Sequence, residues 1–490
     1  MIDRVLYYFE ELAKIPHGSG NTKAISDFCV EFAKEHGFKY YQDEQNNVVI
    51  YKKGNKDTPP VILQGHLDMV CEKEASVEFD FEKDALRLVR DDNTLKAAGT
   101  TLGGDDGIAV AMCLAILESN EISHPDLEVV FTTDEETGMF GAQALDADKL
   151  SSKRLLNIDS EVENVLTVGC AGGARAEIKL PVTPQFLPLD DEDDEDVYKV
   201  TVTGLIGGHS GVEIDKGRQN SNIIMGEFLN FLLCHDYNLR IVDICGGKAD
   251  NVIPNETTAT IFASYAGYDE KENELETLID EFIDEIKLPT DPGLKIDMKP
   301  TNLPRSLEDE TTKEALCSFL GSLDTERVIN FLCEAPNGIM AMSKDIEGLV
   351  ETSLNLGQLY LTINGLVARF SVRSSVKREK QVLLARLDNL AADFKGTMTS
   401  DGHYPAWEYM KVSPFRDKVY EALKEVFISA PKVEAIHAGL ECGIFCEKIE
   451  GLEAVSIGPN IFDIHTPRET LDLKSTEKTY RAIIKLLETL

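Results

Sequence analysis

Residues 61–70 read VILQGHLDMV, a short apolar run from Val61 to Leu63 that closes on His66 and Asp68. In an extended chain, side chains two apart point to the same face, so His66 and Asp68 share one. Such a pair lets one imidazole nitrogen bind a metal while the carboxylate accepts from the other, fixing the tautomer. The plainer alternative is a His–Asp pair that satisfies itself at a strand end. The same layout returns twice: Leu127 to Thr132 is followed by Asp134, Glu135 and Glu136, and Leu155 to Ile158 by Asp159. Around these runs lie helix patterns at Val5, Leu6, Phe9, Leu12 and Ile15, and at Ile25, Phe28, Phe32 and Ala33. Gly107 to Leu117 is apolar on nearly every face, as a helix buried between a sheet and other helices would be. Short apolar strands separated by helices predict an α/β layer with a mixed, largely parallel sheet flanked by helices.

That style breaks at residues 188–196, PLDDEDDED, an acidic block read as a solvated boundary or loop. Beyond it Tyr198, Val200 and Val202 alternate as a strand, and residues 270–286 give an amphipathic helix. Leu359, Leu361 and Ile363 alternate, Asn364-Gly365 reads as a hairpin turn, and Leu366 to Val372 alternate back, followed by a helix pattern from Lys377 to Phe394. Strands then helices, twice over, suggest two similar halves, although no sequence repeat proves it. From about residue 400 the α/β style returns. The expected organisation is one α/β domain from residues 1–186 and 399–490, with an α+β domain, 187–398, inserted into it.

The chain has 490 residues, suiting about two to four domains. Its 86 acidic against 49 basic residues give a net charge of −37. No basic excess exists to displace counterions from phosphate, so nucleic acid and acidic membrane surfaces are not expected partners. The opening segment, MIDRVLYYFEELAKIPHGSG, shows neither an apolar signal-peptide core nor a small-residue cleavage site. No apolar stretch approaches the roughly 18–20 residues that span a bilayer. Ten scattered cysteines, with Cys29, Cys113, Cys234 and Cys317 in apolar helical contexts, suggest buried reduced thiols and a cytoplasmic location.

Other polar clusters complete a constellation. LGGDDGIAVAM (102–112) places Asp105 and Asp106 where a glycine-rich turn opens the buried helix. Helix capping would explain an aspartate there, but the flanking glycines also suit a backbone that aims a carboxylate at a ligand. The acids after residue 132 are costly if buried without counter-charge; a solvated loop is the alternative. His465 follows a strand in SIGPNIFDIHTPRE, and a lone loop histidine is often incidental. Every cluster follows an apolar run, and ligands of open α/β sheets gather beyond the carboxyl ends of strands. Two imidazoles and three carboxylates without thiolate suit zinc, with manganese or cobalt as substitutes. One shared carboxylate and two ligands per ion would make a two-metal hydrolase.

In this order the motifs GHLDMVCEK (65–73), TLGGDDGIA (101–109), TDEETGMFGA (133–142), NIDSE (157–161), GLIGGHSG (204–211), HAGLECGIF (437–445) and IHTPRE (464–469) resemble the M20 metallopeptidases, in the aminoacyl-histidine (cytosol non-specific) dipeptidase branch. The resemblance runs the length of the chain. It implies a zinc-peptidase-like domain carrying an inserted lid domain. It also implies that Asp105 bridges two Zn2+ (Mn2+ or Co2+ substituting), with His66 and Asp159 completing one site and Glu136 and His465 the other. Asp68 would orient His66, Glu135 would be the general base, and the Asp105–Asp106 peptide would be cis. His209 would help hold the scissile carbonyl oxygen. Asn220, Arg373 and the turn at Gly439 are further candidates for substrate binding. Many relatives have Asn where this chain has Asp106; an ionised Asp106 would add negative charge beside the metals.

The expected activity is hydrolysis of unblocked dipeptides, with Xaa-His and β-Ala-His among the candidates, and a homodimer is the expected assembly. An N-acyl amino acid deacylase of the same superfamily is the alternative within the enzyme class. A non-catalytic metal-binding scaffold is the alternative outside it, and that predicts a broken ligand set, whereas all five candidate ligands, Glu135 and Asp68 are present.

Overall fold

The computed structural model describes residues 2–188, 197–266, 272–304, 307–308 and 315–490. The acidic block expected as a boundary lies, apart from Pro188, outside the described residues. The chain divides into two compact units, residues 1–170 with 405–490, and residues 171–404. The expected edges at 187 and 398 both fall inside the second unit. The reason is local pairing: the strand Gly172–Pro181 runs antiparallel to both Gly365–Ser374 and Thr397–Tyr404. The chain has therefore joined the second unit's sheet well before the acidic run begins.

In the first unit, an eight-stranded sheet runs in the order Lys39–Gln42, Val48–Lys52, Leu127–Thr132, Val61–His66, Arg154–Asn157, Glu453–Ser456, Val165–Cys170, Lys432–Ile436. The four strands from Leu127–Thr132 to Glu453–Ser456 are mutually parallel, and antiparallel pairs flank them. Val61–His66 is buried throughout, with Gln64 level with Asn157 and His66 level with Thr132. Parallel strands covered on both faces read as continuous apolar runs, which is why these segments were visible in the sequence. The helix assigned to Gly104–Glu118 is buried from Asp106 to Leu117, and it packs on Val61–His66 and on the helix Ile2–Leu12. Its first residues are not helical: Asp105 has φ −84° and ψ 104°, so regular helix starts after Asp106.

The second unit holds an antiparallel sheet in the order Lys295–Pro300, Val197–Thr203, Thr257–Tyr265, Tyr237–Gly246, Val350–Thr362, Gly365–Ser374, Gly172–Pro181, Thr397–Tyr404, with Gly338–Met342 paired to Val350–Thr362. The helices Ser221–Cys234, Glu272–Ile286, Ser322–Glu334 and Lys377–Asp393 contribute to its core. The hairpin turn lies one residue earlier than expected. Thr362 pairs with Gly365, leaving Ile363 and Asn364 as the loop. Of the cysteines expected in apolar helices, Cys29 and Cys113 are buried in helices, Cys317 is buried in a strand, and Cys234 is exposed at a helix end; all ten are free thiols. Among the described residues, no helix is long and apolar enough to cross a membrane.

Candidate metal centre

Three neighbouring parallel strands of the first unit deliver polar residues at their carboxyl ends. Val61–His66 ends on His66 itself, Leu127–Thr132 leads to Glu135 and Glu136, and Arg154–Asn157 leads to Asp159. The Asp105 turn and the His465 loop join them. Asp105 faces both histidines, with Oδ1 3.2 Å from His66 Nε2 and Oδ2 3.3 Å from His465 Nε2. His66 Nε2 also lies 3.6 Å from Asp159 Oδ1, and His465 Nε2 3.1 Å from Glu136 Oε1. One carboxylate is thus shared between two imidazoles, each with its own further carboxylate. The Asp105–Asp106 peptide is cis.

The His66 tautomer is fixed by main chain. Its Nδ1 donates to the Asp68 carbonyl oxygen at 2.9 Å, leaving Nε2 to face the acids, while the Asp68 carboxylate stands 3.5 Å from Nδ1. The Asp68 carboxylate, expected to orient His66, stands beside its ring and has three further partners. It accepts from the Glu135 amide (3.0 Å), the Glu136 amide (3.3 Å) and the Ser19 hydroxyl (2.8 Å). Buried and holding three donors, Asp68 fixes the loop that carries Glu135 and Glu136.

Asp106 lies against the main chain of His66. Its Oδ2 accepts from the His66 amide at 3.2 Å. A Cβ on Gly65 would stand only 2.5 Å from that oxygen, so glycine is needed there for the close approach. Asp106 could also share an ion with His66 and Asp159, since one ligand atom from each lies within 4.8 Å of the others. Burial raises its carboxyl well above the usual range, with Asp159 and Asp105 adding to the rise.

The electrostatics show a site short of positive charge. Asp105, Glu136 and Asp159 have no Lys or Arg ion-pair partner among the described residues; histidines alone face them. Burial pushes Asp159 up to about 6, and Glu135 is raised well above the carboxylate range by burial, with Asp159, Glu441 and Glu136 adding. Burial would raise Asp105 too, but hydrogen bonds with His465 and His66 hold it below its ordinary value. His465 is raised to about 10 by Asp105 and Glu136. Imidazoles and carboxylates gathered this closely, without a basic side chain to neutralise them, fit divalent cations.

Three candidates belong to the second unit. His209 follows Gly207 and Gly208, and its Nδ1 accepts from the amides of Gly211 and Val212, both at 3.1 Å. A ring accepting at Nδ1 is neutral and carries its proton on Nε2. Burial lowers its pKa, and Arg373 lowers it further. Arg373 is buried, donates to the Tyr404 hydroxyl at 2.8 Å, and has a buried Nε without a hydrogen-bond partner. Asn220 does not fit its expected substrate role. It caps the helix Ser221–Cys234 by accepting from Asn222 and Ile223, and its amide nitrogen has partners in Asn337, Asn355 and Leu356. Each side-chain donor and acceptor of Asn220 is thus engaged within the unit. Gly439, in the first unit, lies in the short connection between Lys432–Ile436 and the helix Glu441–Lys448.

Residues without an assigned role in the sequence reading lie under the cluster. Fully buried Glu441 accepts through Oε2 from Gln64 Nε2 (2.6 Å) and the Thr132 hydroxyl (2.7 Å), and the Asn157 amide donates to Gln64 Oε1 (2.7 Å). This polar layer links the three ligand-bearing strands. The signal available was HAGLECGIF, which contained Glu441 without indicating its place.

Known proteins resemble this chain over most of its length. The family model described as Peptidase family M20/M25/M40 matches residues 62–489. The cytosol non-specific dipeptidase of Escherichia coli (strain K12) is 34% identical over 485 residues, covering 98% of this chain and 96% of that protein. The crystal structure of aminoacylhistidine dipeptidase from Vibrio alginolyticus superposes with a TM-score of 0.87 at 32% identity, covering 99% of this chain and 96% of that one. The M20 family metallo-carboxypeptidase Sso-CP2 from Sulfolobus solfataricus shares the fold, with a TM-score of 0.55 at 13% identity.

Proposed function

The chain belongs to peptidase family M20/M25/M40, and from that premise we propose that it is a metal-dependent dipeptidase hydrolysing unblocked dipeptides in the cytosol. The names of the Escherichia coli and Vibrio alginolyticus relatives support the substrate class. The observation that carries the reading is the shared carboxylate: Asp105 turns one oxygen to each of two histidines that come from opposite ends of the chain. His66, Asp159 and Asp105 would hold one ion, and Glu136, His465 and Asp105 a second, with zinc the first candidate and manganese or cobalt as substitutes.

When bound, the ions would acidify a water and polarise the substrate carbonyl. The remaining steps belong to side chains. Glu135 takes the water's proton as the oxygen attacks the carbonyl carbon, then returns it to the departing amine. Burial raises the Glu135 carboxyl above the ordinary carboxylate range, the direction that makes it a stronger base. His209, neutral and protonated on Nε2, is our candidate donor to the developing oxyanion. Arg373, whose buried Nε has no hydrogen-bond partner among the described residues, is our candidate for the substrate carboxylate in the second unit, and main chain at Gly439 is a separate candidate in the first.

A panel of free and N-acylated dipeptides, assayed with metal analysis on the same sample, tests the function. Hydrolysis of free dipeptides that chelation abolishes and zinc, manganese or cobalt restores is expected. Preference for N-acylated substrates would favour the deacylase reading, and full activity in metal-free enzyme would refute the mechanism.

A further inference from the structure

A side chain outside the ligand set ties two of its members, Asp105 and His465, together. Glu469 follows His465 by four residues and closes its loop, donating its own amide to the Thr466 carbonyl at 3.1 Å. The Thr466 hydroxyl in turn donates to the Asp463 carbonyl at 2.7 Å. The Glu469 side chain, only 3% exposed, reaches the turn that presents Asp105. Oε2 accepts from the amides of Leu102 (2.7 Å) and Gly103 (3.1 Å), and Oε1 from those of Gly104 (2.8 Å) and Asp105 (3.3 Å). A Cβ on Gly104 would sit 3.1 Å from Oε1, and Gly103 has φ 68°, which L-residues rarely adopt. The glycines of LGGDD therefore admit a carboxylate from the far end of the chain.

We propose that Glu469 is a positioning residue for the metal centre: its main chain shapes the loop of His465, its carboxylate holds the turn of Asp105, and the side chain joins both halves of one ion site. The inference rests on the two-ion reading above. Glu136 and His465 share their ion with Asp105, so that site has two members placed by Glu469, whereas the site of His66 and Asp159 has one. Loss of Glu469 then acts unequally on the two ions. A purely structural helix cap would weaken the fold without this asymmetry.

The test uses full-length wild type, Glu469→Gln, Glu469→Asp and Ser413→Ala. Ser413 caps the helix Pro414–Phe427 in the same unit and reports the effect of lost stability alone. Each protein is equilibrated against zinc buffered over a range of free concentrations, bound zinc is counted per chain, and thermal stability is measured in parallel. Wild type should bind two ions. In Glu469→Gln one of the two ions should lose about 10- to 100-fold in affinity and the other less than about threefold, as is usual when a partner behind the ligands is removed. Glu469→Asp, which keeps the charge one methylene shorter, should fall between, and it decides the matter if the glutamine variant does not fold. Unchanged affinity for both ions overturns the proposal, as does equal weakening of both ions in step with Ser413→Ala. A wild type that never binds two ions removes the two-ion reading and this inference together.

Discussion

Replacing Glu441 with Gln isolates one buried charge beneath the metal centre. The Glu441 side chain is fully buried, its Oε2 accepts from Gln64 and Thr132, and its Oε1 has no hydrogen-bond partner. Burial pushes the carboxyl up from 4.5 to about 7, with His66 opposing the rise and Asp159 and Asp68 adding to it. A raised acid binds its proton more tightly in the folded chain than in the unfolded one. Stability is therefore greatest below pH 4.5 and is lost as pH rises through about 7. The difference corresponds to about 3 kcal/mol, most of it falling between pH 5 and pH 8. Glutamine keeps an oxygen for Gln64 and Thr132 and cannot ionise, so its variant lacks this contribution to the slope. Denaturant melts of chelator-treated wild type and Glu441→Gln at several pH values measure it. The gap should widen in the variant's favour by about 2–3 kcal/mol from pH 5 to pH 8. Parallel pH curves would refute the reasoning, because other titrating groups are common to both proteins.

Asp68→Ala leaves the amides of Glu135 and Glu136 without their acceptor; it should cost about 2–5 kcal/mol of stability and about 10- to 100-fold in metal affinity, and wild-type melting with wild-type metal retention would contradict the role given to this carboxylate. Glu135→Gln should keep both ions yet lose about 10²- to 10⁴-fold in kcat; near wild-type turnover would remove it as the base. His209→Ala should lower kcat by about 10²- to 10³-fold at unchanged metal content, and unaffected kinetics would count against its Nε2 donor.

Much of the fold could be read because parallel strands announce themselves. Val61–His66, Leu127–Thr132 and Arg154–Asn157 carry apolar residues on both faces and break into acids or histidine where the sheet ends. The Gly107–Leu117 helix was visible for the same reason, being buried all round. Features that depend on tertiary partners were harder. The strand Gly172–Pro181 alternates like any strand, and which sheet it joins is decided by Gly365–Ser374, nearly two hundred residues on. Sequence placed Asp68 beside His66 but did not show that its carbonyl as well as its carboxylate would face the ring. Asn220 looked available and is a helix cap, whereas Glu441 and Glu469 looked ordinary and are buried where no local pattern marks them. A carboxylate that serves distant amides has no spacing to betray it.

The central claim is that Asp105 is common to two ion sites. Counting zinc per chain at saturating buffered concentration in wild type, His465→Ala and Asp105→Ala tests it most directly. The account predicts two ions in wild type, one in His465→Ala, and loss of tight binding at both sites in Asp105→Ala. Two tightly held ions in Asp105→Ala would contradict it.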